Sequence, residues 1–400
     1  MEKSQRGICG QREKSAVKTK LFLATLMIAL GLAGCGQASD DSPRGLQANL
    51  AAMLDDPAHC PSGTTADVQT LIDAAGPDGL VHIPAGCYEI TDSIGISAGT
   101  RIIGAGMENT ILYRDPEAFQ NQSDAMIWIF GRGESLTQIS GIAFLGVRNT
   151  DDQGEDTGVT FSNVRDLRVD HCYFEGFGLA AVRTEGRSRG VVDHSVFVDN
   201  FKKGIDNLGY GVAVYGTNEW AEDPGAGTEE AVFVEDNVFV GNRHAIASTA
   251  GAHYVFRHNL VQGSVEACAV DAHGLGYGSA RGTQYVEIYD NVLEKPQYTA
   301  CGIGIRGGSG VIFDNTLRGF RNPILLILEW GTPEYLKSSY PAKDQIREMW
   351  IWDNESSGGS AMPQIDKEAQ GFIEAGRDFF TEPRPEYTPY TYPHPLVGDK

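Results

Sequence analysis

One short hydrophobic pattern recurs through the middle of the chain. The segments VRDLRVDHCYF, RGVVDHSVF, AVFVEDNVF, HYVFRHNLV, YVEIYDNVL and GVIFDNTL align on Cys172, Ser195, Asn237, Asn259, Asn291 and Asn315. Three positions before each anchor stands Val169, Val192, Val234, Phe256, Ile288 or Ile312. Two positions after it stands Phe174, Phe197, Phe239, Val261, Leu293 or Leu317. The anchors are 23, 42, 22, 32 and 24 residues apart, so a basic period of 22–24 is broken by two long insertions. Such a period marks a solenoid, whose units bury their apolar faces only against their neighbours.

The runs alternate, are rich in Val, Ile, Phe and Tyr, and close on Gly, Asn or Asp, which predicts strands. A second run accompanies each copy: AAVRTEG, GVAVYG, AIASTAG, AVDAHGL, GIGIRGG and ILLILEWG. A coil of this length with two or three short strands predicts an all-β fold, a single-stranded parallel β-helix with coils about 4.8 Å apart. The leucine spacing of a leucine-rich-repeat arc is absent. The anchor column predicts an inward ladder of amides bonded from coil to coil. Upstream, Thr65–Gly76 reads as an amphipathic helix with Val68, Leu71, Ile72 and Ala75 on one face, placed to cap the first coil.

The N-terminus is basic, then apolar from Leu21 to Ala33, then reaches Cys35. Leu32-Ala33-Gly34-Cys35 resembles a bacterial lipobox, which implies cleavage before Cys35 and acylation of its thiol. The apolar run is too short to span a bilayer. With no acidic residue directly after Cys35, the outer membrane or cell surface is the expected address. The predicted organisation is a lipoprotein signal over 1–34, a polar tether over 35–60, the β-helix over 61–380 and a tail over 381–400.

Charge narrows the partners. The chain carries a net charge of −21. Removing residues 1–34 takes six basic and two acidic residues, leaving 26 against 51, a net charge of −25. A surface this acidic excludes nucleic acid as a partner. The membrane is expected to be touched through the lipid alone, and the protein to act as a monomer.

Of the seven cysteines, Cys268 and Cys301 occupy matching places in adjacent coils, close enough for a disulfide. Cys60 and Cys87 flank the cap and form a second candidate pair, leaving Cys172 as a buried thiol.

LIDAAGPDGLVHIPAGCYEITDSIGISAGTRIIGAGMENTILYRD, the coils through Phe320 and YTYPHP over Tyr390–Pro395 resemble the pectate-lyase-like superfamily of right-handed parallel β-helix proteins. The resemblance spans roughly residues 64–355. It implies a carbohydrate partner, since the superfamily holds uronan lyases, glycoside hydrolases, epimerases and non-catalytic glycan binders.

Strict alternation locates the candidate site. Val270, Ala272, Ile303 and Ile305 point into the lumen, so Asp271, His273 and Arg306 face out into water, over the small neighbours Ala247 and Gly304. Arg183 and Glu185 share that face as substrate-binding candidates, with Trp220 and Glu287 added for sugar contact. The inserted loop Gly274–Gly282 offers Tyr277 and Arg281. A uronan lyase needs a base for the C5 proton, a cation for the adjacent carboxylate and an acid for the leaving oxygen. His273 is the candidate base and Tyr277 the acid. Arg306, Arg281 or a Ca²⁺ held by Asp271 is the candidate neutraliser. A glycosidase would instead pair Asp271 with Glu185, Glu287 or Glu329. A non-catalytic adhesion module is the other alternative. On the same alternation His244 falls on the inward row with Cys268 and Cys301.

Overall fold

The alternating runs fold as strands, and each pairs with its counterpart one coil away. The computed structural model describes residues 42–54, 60–114, 125–131, 135–147, 154–202, 208–264, 267–276, 280–294, 301–329, 340–341 and 344–398. Among them the strands form three sheets, of 12, 10 and 11 strands. Pairing between these strands is parallel except in one small hairpin, Glu355–Ser356 with Gly359–Ser360. One coil shows the winding. His244–Thr249 lies in the 10-stranded sheet, His253–Arg257 in the 11-stranded and Leu260–Ser264 in the 12-stranded. Val270–Ala272 then returns to pair with His244–Thr249. The fold is therefore the right-handed parallel β-helix, the hand that parallel crossovers take.

Both apolar columns of the repeat line the lumen. Phe144, Phe174, Phe197 and Phe239 stack along it with ring centroids 4.8, 5.2 and 4.7 Å apart, the coil spacing itself. The anchor column is the inward ladder. The backbone N–H of Asn237 donates to Asn259 Oδ1 at 3.0 Å, and that of Asn259 donates to Asn291 Oδ1 at 3.0 Å. The ladder continues through Asn315 to Asn354, a rung that the six-copy alignment missed. The residue before each anchor turns the corner. His171, His194, Asp236, His258, Asp290 and Asp314 have φ between 47 and 56°, a left-handed conformation in which Asp and His are enriched.

The N-terminal side departs from expectation in one respect. The tether predicted over 35–60 contains a helix, α1, Pro43–Leu54, with proline in its first turn. Its sparse apolar stripe, Leu46 and Leu50, is buried against Ile111, Ala143, Tyr173 and Val196 on the outside of the 12-stranded sheet. Arg44 is ion-paired with Asp199. That outward apolar patch exists only once the coils are stacked, so nothing local announced a docking helix. The second helix, α2, Thr65–Ala75, ends at Gly76 with φ 71°. Val68 and Ile72 join the lumen core beside Ile83 and Ile94 of the first coil.

The tail over 381–398 lies along the outside of the 11-stranded sheet. Arg257 donates to the carbonyls of Tyr390 and Thr391, both at 2.8 Å, and the N–H of His394 donates to Glu235 at 2.7 Å. Beneath the tail, the Arg257–Glu235 ion pair has both side chains fully buried. A cysteine bridge closes the cap, Cys60–Cys87, and another joins neighbouring coils, Cys268–Cys301, with Cα separations of 5.3 and 4.4 Å. Cys172 is a free buried thiol in the ladder.

Candidate active site

Val270, Ala272, Ile303 and Ile305 fill the lumen, which turns Asp271 to the other face of the 10-stranded sheet. Asp271 pairs in register with Gly304. A Cβ at Gly304 would stand 2.7 Å from Cys268 Sγ, so the disulfide covers this face and glycine is required beneath it. The expectation that Asp271 faces water is corrected: its side chain is 0% exposed. The reason is its neighbours. His273 Nε2 lies 3.2 Å from Asp271 Oδ2, and His244 Nε2 lies 3.5 Å from the same oxygen. Arg306 donates to Oδ2 as well. Through its other nitrogen, Nη1, Arg306 reaches Glu329 Oε1 at 3.1 Å. Glu329 in turn accepts from the N–H of Gly274 at 2.8 Å. His273 and Arg306 keep 26% and 18% of their side chains exposed, so the cluster opens to solvent through these two.

His244 is the residue that alternation misplaced. In each coil of this sheet two consecutive residues face the lumen: Ala181 and Val182, Ala245 and Ile246, Ala269 and Val270. The phase slips by one, and Tyr210, His244, Cys268 and Cys301 fall on the outer face. The signal was in the sequence as a column of small residues, Gly158, Ala181, Gly211, Ala245, Ala269 and Gly302. A Cβ at Gly211 would meet Phe239 at 2.7 Å and one at Gly302 would meet Leu317 at 2.6 Å, so this column runs along the crowded lumen wall.

Electrostatics follow from burial and pairing. Burial disfavours the Asp271 carboxylate, but Arg306 and His273 outweigh it and hold the group well below the usual carboxylate range. Burial, with Arg243 adding to it, drives His244 well below its ordinary value and keeps it neutral. His244 Nδ1 lies 2.6 Å from the carbonyl of Cys268, which can only accept, so the neutral ring carries its proton on Nδ1. Tyr210 stacks on His244 at 5.4 Å, and burial raises its phenol, which stays protonated. Arg243 lies 5.9 Å from the Tyr210 ring and has no carboxylate partner among the described residues.

The remaining candidates are dispersed. Arg183 and Glu185 do lie on the same face, but they pair with each other, three coils or about 14 Å from Asp271. Glu287 is on a different sheet, buried, accepting from His253, Gly227 and Tyr387 beneath the tail, so its carboxylate is closed to solvent in this arrangement. Arg281 is turned away as well, paired with Asp344 at 3.1 Å and 5.0 Å from the ring centre of Trp220. Trp220 lines a separate cavity of about 840 Å³, beside Arg187, Arg189, Glu219 and His253. Tyr277 and Cys35 lie outside the described residues.

Calcium does not fit this cluster. It takes six to eight oxygen ligands, whereas Asp271 is surrounded by two imidazoles and a guanidinium.

The architecture, three parallel sheets wound coil on coil, is a right-handed parallel β-helix. No protein-family profile and no curated protein matches the sequence. Solved structures do resemble it. An alginate lyase from Paenibacillus sp. str. FPU-7 is 10% identical over 76% of this chain and 98% of its own, with a TM-score of 0.45. The A-module of the Azotobacter vinelandii mannuronan C-5 epimerase is 15% identical over 82% and 95%, at 0.38. The catalytic domain of a GH87 alpha-1,3-glucanase in complex with nigerose is 12% identical over 82% and 68%, at 0.32. The three parallel sheets, rather than these likenesses, define the fold, and only the side chains speak to chemistry.

Proposed function

We propose that the protein is a polysaccharide lyase that cleaves an acidic, uronic-acid-containing glycan by β-elimination. The observation that carries this reading is the buried Asp271 carboxylate holding His273 and Arg306 side by side at the surface of the sheet. Asp271 Oδ2 lies 3.2 Å from Nε2 of His273, which turns Nδ1, the nitrogen away from Asp271, outward to take the C5 proton. Breaking C5–H and the C4–O bond forms the C4–C5 double bond, and the leaving oxygen needs a proton. Tyr210, held protonated by burial, supplies it directly or through water. The negative charge that develops on the uronate is met by the guanidinium of Arg243 and the partly exposed edge of Arg306. Held ionised, Asp271 cannot be the acid of a glycosidase, and with its side chain 0% exposed it is not open to the sugar as the nucleophile or base, so it does not support hydrolysis. Acylation at Cys35 would tether the coil to the outer membrane. Releasing the protein from membranes by Cys35→Ser tests that part.

The enzymatic test is ultraviolet absorbance from unsaturated uronate during incubation with a panel of uronans, with His273→Ala beside the wild type. The expected result is unsaturated product from at least one uronan and none from His273→Ala. Saturated sugars alone would move the assignment to hydrolysis. Solvent deuterium at C5 without unsaturation would keep the base and refute the elimination.

A further inference from the structure

We propose that His244, Asp271 and His273 form a binding site for one divalent cation of the borderline, nitrogen-preferring class, such as Zn²⁺ or Co²⁺. This inference stands on geometry and not on the lyase reading; an ion on Nε2 of His273 leaves the ring proton on Nδ1, so the loaded protein would lack the base assigned above.

One ligand atom from each of the three residues lies within 4.8 Å of the other two. In a tetrahedral centre with bonds of 2.0–2.1 Å, neighbouring ligand atoms stand roughly 3.3 Å apart. The two imidazole nitrogens lie 3.5 and 3.2 Å from Asp271 Oδ2, which is that spacing. His244 Nε2, His273 Nε2 and Asp271 Oδ1 are all buried and make no properly oriented hydrogen bond. Unsatisfied buried polar atoms are costly, and the two imidazole nitrogens, both facing Asp271 Oδ2, call for a shared partner.

The tautomer of His244 sharpens the case. With its proton on Nδ1, donated to the Cys268 carbonyl, Nε2 presents a lone pair toward a carboxylate oxygen. Two electron-rich atoms 3.5 Å apart repel unless a cation sits between them. A ligating histidine usually donates its other ring N–H to a backbone carbonyl in this way. The disulfide to Cys301 ties the strand that supplies this carbonyl to the next coil, which fixes the ring further. Arg306 is the opposing charge, but it also bonds Glu329, and a carboxylate offers about four lone-pair directions. Two imidazoles and one carboxylate select zinc-like ions over calcium or magnesium. A solvent water completes the fourth position.

The test is titration of the metal-stripped full-length chain with Co²⁺, read by visible absorption, and with Zn²⁺, read by calorimetry. The expected result is one Co²⁺ per chain with tetrahedral absorption, displaced by Zn²⁺ and unaffected by Ca²⁺. His244→Ala and the partly exposed His273→Ala should each weaken binding by at least about 10-fold, with melting of each variant showing that it is folded. His273→Ala keeps the test valid if the fully buried His244 proves necessary for folding. No stoichiometric binding by the wild type, or unchanged affinity in a folded His273→Ala, would overturn the proposal.

Discussion

Asp271 and Arg306 define a stability experiment as well as a chemical one. Both groups are withdrawn from solvent, with side-chain exposures of 0% and 18%. Removing one partner of such a pair leaves the other charge buried, which costs about 3–5 kcal/mol. Replacing both with apolar groups removes the charge and its desolvation together. Asp271→Ala and Arg306→Met should therefore each cost about 3–5 kcal/mol, and the double variant no more than Arg306→Met alone, since both take Arg306 away from Glu329. The coupling energy from urea unfolding should then be at least about 3 kcal/mol. It should persist in 1 M salt, because ions do not screen a buried pair. Acid should weaken it. The carboxyl is held low in the folded state, so its stabilisation is fully present above the ordinary aspartate value, about 3.9, and is lost as pH falls below it. The gap between wild type and Asp271→Ala should thus narrow in acid. Additivity within about 0.5 kcal/mol at neutral pH would refute the account, since the two charges would then not depend on one another. Arg318–Glu294 is the control: with side chains 58% and 37% exposed, its loss should cost at most about 1 kcal/mol and vanish in salt.

Two further outcomes test the scaffold. Asn259→Ala removes Nδ2 from the carbonyls of Val234 and Arg257, 2.8 and 2.9 Å away, and Oδ1 from the N–H of Asn237, 3.0 Å away. Three backbone groups are then stranded in a dry turn, so unfolding should be easier by about 3 kcal/mol in a urea titration; a loss under about 1 kcal/mol would mean water replaces the ladder. Truncation after Phe380 uncovers the Arg257–Glu235 pair and Phe233, whose ring lies 5.3 Å from Tyr390 and 4.7 Å from His394. The truncated chain should melt at a lower temperature by calorimetry, and an unchanged transition would show that the tail contributes nothing to the coil.

The sequence by itself determined the coil. A repeat with two apolar columns around an amide anchor has one low-energy arrangement, because stacking is the only way each unit buries its face and pairs its edges. The pairing of Cys268 with Cys301 and the outward turn of Asp271 followed from the same register. Tertiary structure decided what lay between coils. A one-residue slip of phase carried His244 from the expected lumen to the outer face, and that slip answers to crowding by Phe239 and Leu317 from other strands of the coil. Burial of Asp271 was likewise set by His244 and Arg306, 27 and 35 residues away in sequence. Docking of α1 and the tail depended on surfaces assembled from several coils. Alternation records which side of a strand a residue takes, whereas exposure and partnership are properties of neighbours that only stacking brings within a few ångströms.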